Sequence, residues 1–368
     1  MNKMIVSNLA YRPLRSIISV FAVALEVTLI LLIVGLSLGI LNDNKARQKG
    51  IGADVMVKPP GSSNFAAFSS APVSVKVGDI LLKQPHVTAV SPVVIQTTNS
   101  INSIEMLYGI DLPTFEALGG PMRYLEGHGF QQPYDLIVDE YYAAGHKLHA
   151  GDKVRVLDHD FRVCGIIPQG RGSRRFIPIA TLQDLIGAEN KATMFYVKLD
   201  DPNNADAVAQ QIKTIPGMEN YNIMSIGEWL ALMSADNIPL LSTFINIVIG
   251  IAVVIGFIVI FQSMYTAVLE RTREIGILKS LGASKMYIVR IILRETLLLA
   301  IAGIIAGIVF SLIAAYAIRY KLPTVPVEFT SGWVLRAAII AIVGSMIGAI
   351  YPAVKAAQKD PIDALAYE

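Results

Sequence analysis

The 368-residue chain is poor in reactive side chains: one cysteine, five histidines and two tryptophans, with only 16% of its residues charged. The single thiol, Cys164, excludes an intramolecular disulfide, so a domain outside the cell interior would have to stand on its hydrophobic core. Ordinary soluble domains carry about 25% charged residues. The deficit here, with 53% apolar residues and a mean hydropathy of +0.52, marks a membrane protein. The net charge of +2 is spread along the chain, which excludes a nucleic-acid-binding face. Phosphate-cradling Gly-x-x-x-x-Gly-Lys-Ser/Thr is missing, and Gly276 to Lys285, the nearest approach, has misplaced glycines and no Lys-Ser/Thr pair. Any ATP must therefore be bound by another chain. His-Glu-x-x-His and Gly-x-Ser-x-Gly are missing as well. His146 and His149, with Asp158, His159 and Asp160 nearby, include zinc-ligating types, but their spacing fits neighbouring strands and turns better than a metal site.

What the chain does have is long apolar runs. The first, 17–41, follows Arg12 and Arg15 as a signal peptide would, yet it is too long for an h-region and lacks a cleavage site, so it reads as a retained anchor. Glu26 within it costs about 2.5 to 3.5 kcal/mol, which the surrounding Leu, Ile, Val and Phe offset at roughly 0.3 to 0.6 kcal/mol each. Three more runs, 240–269, 287–318 and 333–352, each reach the length a bilayer requires. The expected organisation is an amphipathic cytoplasmic lead-in at 1–16, four spans, a large insert at 42–239, a cytoplasmic element at 270–286, an outer loop at 319–332 and a cytoplasmic tail at 353–368. Lys3, Arg12 and Arg15, then Arg271, Arg273, Lys279, Lys285 and Arg290, then Lys355 and Lys359 place both termini and the 270–286 element inside. Arg319, Lys321 and Arg336 pull the third-to-fourth connection the same way, against the outside position that an even span count forces.

Short β-branched and aromatic segments at 54–58, 87–95, 105–110, 135–138, 153–157, 161–167 and 194–199 read as strands, and 77–82, 112–118, 179–186 and 205–213 as helices. The insert is thus expected to be α+β, with two lobes. Residues 64–71 lack a period and read as a surface loop. Arg171, Arg174 and Arg175 form a basic turn suited to headgroups or an acidic partner, or a solvated hairpin tip. Trp229 and Trp333 fit the interfacial aromatic preference. Glu26, Thr28 and Gln262 are polar residues that fall inside spans, with Glu26 open to protonation, pairing or a cavity, or to a packing or topological role. Gly303-x-x-x-Gly307 and Gly344-x-x-x-Gly348 let helices approach closely, and the expected seam joins spans three and four.

The densest charge lies in Glu270-Arg-Thr-Arg-Glu274-Ile-Gly276-Ile-Leu-Lys279-Ser-Leu-Gly282-Ala283-Ser284. As a helix it is short and amphipathic, with Ile275, Leu278 and Leu281 on one side; Gly282 can close it in a left-handed conformation and Ser284 can cap the next helix. A loop that only fixed topology would not need Glu270, Glu274 or these paired stop and start signals.

This segment resembles the FtsX-like, MacB-type permeases of ABC systems, a family that includes lipoprotein-releasing and DevC-like permeases. Three further stretches are similar to the family: Asn8-Leu9-x-x-Arg12-Pro-Leu-Arg15, Leu148-x-x-Gly151-Asp152-x-Val-x-Val with Phe161-x-Val-x-Gly-Ile, and Tyr351-Pro352-Ala353 through Asp360-Pro361 to Leu365. The resemblance implies a four-span permease in the bacterial inner membrane, dimerised, paired with two ATPase subunits that hold ATP and Mg, in contact with lipid and open to a periplasmic adaptor. It implies that Glu270, Arg271, Arg273, Glu274, Gly276, Lys279, Gly282 and Ala283 form a coupling helix on the ATPase, completed by Asp360 and Pro361, and that this chain has no cofactor or catalytic site of its own. The expected function is export of a lipid, lipoprotein, peptide or drug; the alternative is a mechanotransmitter that activates a cell-wall hydrolase without transport. Because the chain starts at its first span, the family's fused-ATPase form is not expected.

Overall fold

In the computed structural model, residues 13–62, 72–100, 103–235 and 237–359 are described. The lead-in residues 1–12, the 64–71 loop, Asp360 and Pro361 lie outside them. The chain divides into two compact units, one from Met1–Gly39, Pro239–Tyr320 and Val327–Glu368, the other from Ile40–Ile238 and Lys321–Pro326.

Helix α1, Pro13–Gly50, opens on a proline, whose fixed φ suits a first helical turn. It outruns the apolar 17–41 stretch because Asp43 and Arg47, one turn apart, pair at 3.1 Å on its polar end. Gly52 follows at φ +86°, and a Cβ there would lie 2.4 Å from Gly119 Cα, so only glycine serves.

The insert continues through β1 (Val55–Lys58), β2 (Val73–Ser74), α2 (Val77–Leu82), β3 (Val87–Ser100), β4 (Ser103–Ile110), α3 (Leu112–Gly119), β5 (Glu126–Gly127), β6 (Asp135–Asp139), α4 (Glu140–His146), β7 (Lys153–Val156), β8 (His159–Ile167), β9 (Arg175–Pro178), α5 (Ile179–Leu185), β10 (Lys191–Ala192), β11 (Met194–Leu199), α6 (Ala205–Lys213), β12 (Asn222–Ser225) and α7 (Ile226–Leu232). Most strands form one sheet in the order β12-β1-β11-β3-β4-β9-β6-β8-β5, with β7 on β8, while β2 and β10 pair apart. The chain is mixed α/β here.

Successive side chains on a strand point to opposite faces, so strands covered on both sides supply apolar residues to two cores. On β11, Phe195, Val197 and Leu199 pack with Val55 and Val57 against Val208 and Ile212 of α6, whereas Met194 and Tyr196 join Met56, Tyr108, Phe115 and Phe176 on the opposite face. A third cluster, including Leu136, Val138, Phe161, Val163 and Leu182, fills the β6–β8 end. Trp229 corrects the interfacial reading: at 7% exposure it belongs to the core with Met56 and Tyr196, on a helix that Ser225 caps. Helices α4 and α7 and strands β9 and β12 are additional to the elements read from sequence.

Helices α8 (Pro239–Glu270), α9 (Thr272–Ser280), α10 (Lys285–Lys321) and α11 (Ser331–Gln358) complete the chain. Four helices, α1, α8, α10 and α11, are long and apolar enough to cross a membrane. The glycine patterns do not seal α10 to α11. A Cβ at Gly303 would stand 2.6 Å from Val23 Cβ, and one at Gly307 2.7 Å from Ala24 O, so α10 packs on α1. A Cβ at Gly348 would stand 3.0 Å from Phe257 O, placing α11 against α8. Small residues specify a close approach but not the helix that makes it. Thr28 Oγ1 adds a hydrogen bond across the α1–α10 seam, donating to Gly307 O at 3.1 Å.

In the connection between α10 and α11, Lys321–Pro326 belongs to the same compact unit as the insert. The basic residues near it are used locally: Arg319 donates to Val327 O, and the Arg336 guanidinium sits 4.9 Å from the Trp333 ring centre.

Replacing Gly303 by Leu should lower the unfolding midpoint in detergent by the equivalent of about 1 to 3 kcal/mol, while Gly250→Leu, where a side chain meets nothing within 4 Å, should leave it unmoved; equal midpoints for the two variants would contradict the α1–α10 seam. Burial pushes the Asp139 carboxyl up to about 6, against the opposing pull of Arg174. Between about pH 4 and 6 the folded chain therefore holds a proton that the unfolded chain has released, and the stability this group contributes falls as pH rises through that window. Asp139→Asn should flatten that slope in a pH series of melting midpoints, and an unchanged slope would refute it.

Candidate functional site

The charged segment forms a corner between α8 and α10. Helix α8 stops at Glu270, Arg271 leaves helical geometry at φ −108° and ψ 20°, and α9 begins at Thr272, whose hydroxyl donates to Leu269 O at 2.8 Å. Helix α9 buries Thr272, Ile275 and Gly276 and ends at Leu281. Gly282 at φ +91° then closes it. Its N–H donates to Lys279 O at 3.0 Å and that of Ala283 to Leu278 O at 3.0 Å, the paired bonds of a Schellman ending. Ser284 Oγ accepts from Tyr287 N at 3.2 Å and starts α10. The stop and start signals thus act as the sequence indicated. The apolar side differs in one respect, for Leu281, expected beside Ile275, is 81% exposed because the left-handed residue after it turns the chain away.

Two sets of polar contacts hold the corner. Lys279 Nζ donates to Ala357 O at 3.1 Å and also to Lys359 O, fastening α9 to the end of α11. Glu295 of α10, 3% exposed, pairs with Arg271 at 3.0 Å and with Arg15 of α1 at 3.5 Å, and Arg15 reaches Glu270 at 3.1 Å. A cleft of about 50 Å³ lies beside this cluster, with Arg271, Glu274 and Glu295 among apolar walls that include Met264, Val268 and Ile291. What remains accessible is a mixed knob: Arg273 and Glu274 with Ile277, Leu281 and Met286. Sequence reading missed Glu295 and gave Arg15 only a topological role. The signal was an acidic residue inside the third apolar run, as costly there as Glu26 and hence in need of a cation.

The remaining candidates fall elsewhere. Glu26 is 3% exposed, with Oε2 against Gly256 and Oε1 near Gly344, and Oε1 has no hydrogen-bond partner among the described residues. Gln262 is exposed on α8. The basic turn is a correction to the headgroup reading, since its side chains point into the protein. Arg171 donates to the carbonyls of Gly120 at 2.8 Å, Gly119 at 3.1 Å and Pro121 at 3.3 Å; Arg174 pairs with Asp43 and Asp139; and Arg175 is buried against Glu105. His146 stacks on Tyr142 at 4.1 Å, and His159 on Tyr134 at 5.9 Å.

The family model described as the MacB-like periplasmic core domain matches residues 16–215, over half of the chain, and that of the FtsX-like permease C-terminal matches residues 246–361. The chain belongs to the FtsX-like, MacB-type permease family. It is 24% identical over 400 residues to the macrolide export ATP-binding/permease protein MacB of Mannheimia succiniciproducens, covering all of this chain and 60% of that protein. It is 26% identical over 232 residues to the uncharacterized ABC transporter permease MJ1507 of Methanocaldococcus jannaschii, covering 60% of this chain and 58% of the relative. With the ABC transporter permease YknZ of Bacillus subtilis it shares 29% identity over 233 residues, 59% of this chain and 57% of the relative. The chain thus spans less than two thirds of the length of these relatives. As a permease of this family with four apolar helices, it is a multi-pass membrane protein.

A double-mutant cycle on Arg271→Ala and Glu295→Ala should return a coupling of about 1 to 3 kcal/mol in unfolding free energy, since each single change takes a close partner from a largely buried charge. Additive effects would mean that the pair does not hold the corner.

Proposed function

We propose that the chain is the permease subunit of an ABC exporter whose separate ATPase subunits, carrying ATP and Mg, press on the α8–α9–α10 corner and so move the insert. The observation that carries this reading is the corner itself: Arg273, Glu274 and Ile277 on a short helix, and Leu281 at its end, are all exposed, while the helix is fixed at both ends. Exposed apolar side chains ringed by charge, on a support that cannot yield, suit a protein interface that must bear load. Arg273 and Glu274 would set register, and Ile277, Leu281 and Met286 would enter a cleft on the partner. The corner would face the cytoplasm with both termini, and the insert would lie outside, in keeping with the basic residues at 271–290 and 355–359. The export reading draws on the relatives named macrolide export ATP-binding/permease protein MacB, and the cargo class we propose is a lipid, lipoprotein, peptide or drug. A second permease copy and a periplasmic adaptor are the further partners of this proposal.

The test is co-purification with an ABC ATPase subunit co-expressed with this chain. Glu274→Lys and Leu281→Asp should each cut the recovered ATPase roughly tenfold or more, as for a central contact, with membrane insertion unchanged. Full recovery in both variants would overturn the docking assignment. In the wild-type complex, ATP turnover raised by lipid or lipoprotein supports export, whereas turnover raised only by a cell-wall hydrolase replaces it with mechanotransmission.

A further inference from the structure

Arg174 immediately precedes β9, in a basic segment whose sequence suits a headgroup or acidic-partner contact or a solvated tip. Its guanidinium instead gathers three separate segments within the insert's unit. One nitrogen lies 3.0 Å from Asp43 Oδ2 at the end of α1 and 3.0 Å from Thr324 O in the α10–α11 connection. Another lies 3.3 Å from Asp139 Oδ2, and the plane sits 5.5 Å from the Tyr141 ring centre. Each partner is itself fixed. Asp43 pairs with Arg47 at 3.1 Å, and Asp139 accepts from Tyr142 N at 2.7 Å to cap α4. The Arg174 carbonyl accepts from Asp139 N at 2.8 Å, so the same residue is tied to β6 by main chain and side chain. Gly145 of α4 lies against Pro323 and Thr324, a Cβ there standing 3.8 Å from each. The connection makes its own turn, Val325 N donating to Leu322 O at 2.9 Å.

A planar fork of donors holds two carboxylates and a main-chain carbonyl in fixed directions; an ammonium group, a point charge on a flexible stem, holds them less rigidly. The three bridged segments have different destinations along the chain. Asp43 continues back into the first apolar helix, Thr324 leads to the third and fourth, and Arg174 and Asp139 belong to the sheet.

We propose that Arg174 is the positioning residue that pins the α10–α11 connection to the insert, so that force on the insert arrives through residues 321–326 as well as through α1. The use made of the pin rests on the permease reading; the pin itself does not. A permease joined to its outer domain only at the two ends of the insert could shift that domain while the 322–330 connection slid past it. With the connection held, α10 and α11 cannot move without drawing on β6 and β9.

Hydrogen–deuterium exchange on the full chain in lipid nanodiscs tests this. Arg174→Ala should speed exchange across residues 322–326 roughly tenfold or more, the loss expected when charge-assisted hydrogen bonds are removed. Arg174→Lys should fall between that variant and wild type, and amides of β3, β4 and β11 should stay as protected as in wild type. Unchanged exchange at 322–326 in Arg174→Ala would overturn the pin, and so would an equal rise throughout the insert, because the arginine would then support the fold in general. Failure of the permease reading shows elsewhere, as a wild-type chain that recovers no ATPase while its 322–326 amides remain protected.

Discussion

A buried carboxylate near the start of an apolar helix cannot stand alone, and Glu295 sets the terms for everything around it. Removing its charge from water costs several kcal/mol unless cations come to meet it. Arg271 comes from the break between α8 and α9, and Arg15 from the start of α1. Satisfying one buried charge therefore brings three segments to one point and decides where α8 ends. Arg271 leaves helical geometry where its side chain is drawn towards α10, and the short helix that follows inherits its direction from that pairing. Lys279, bonded to carbonyls at the end of α11, fixes the far side. The exposed knob is stiff because the charges beneath it are spent internally.

The insert solves a different problem with the same economy. Its central strands are buried on both faces, so stability comes from apolar alternation in a single sheet, and a single buried cysteine is no handicap. Charge enters where segments must be joined: Arg174 at the meeting of α1, α4 and the 321–326 connection, Arg175 against Glu105, and Arg162 against the buried Asp135 at 3.0 Å. Along the α1–α10 and α8–α11 seams of the helical unit the close contacts are at glycines, because close backbone approach is a main source of attraction between helices that lipid surrounds.

Much of this was legible in residue order. Four apolar runs, the strands from 54–58 to 194–199, the left-handed Gly282 and the Ser284 cap all depend on local pattern, and local pattern is what a sequence displays. Partnership is not local. Gly303 and Gly348 announced close contacts, but the partners proved to be α1 and α8. The arginines at 171, 174 and 175 resembled a surface patch because their acceptors lie tens of residues away, at Gly120, Asp43 and Glu105. Trp229 sits only ten residues before an apolar run and so looked interfacial, although Ser225 and the β12 register turn it into the core. Glu295 was hidden by its company, since an acid next to Arg294 looks solvated until α8 and α1 are packed against it. The family likeness reached the corner residues through their motif, and it was silent on what holds that motif in place.

The central claim is that the knob at 273–286 carries a nucleotide-hydrolysing partner. A photoreactive amino acid at Leu281, 81% exposed, tests it in intact cells, with Leu240 at the opposite end of α8 and 84% exposed as the control. The account predicts a covalent adduct to an ATP-binding subunit from position 281 and none from 240. Adducts to that subunit from 240, or to lipid alone from 281, would contradict it.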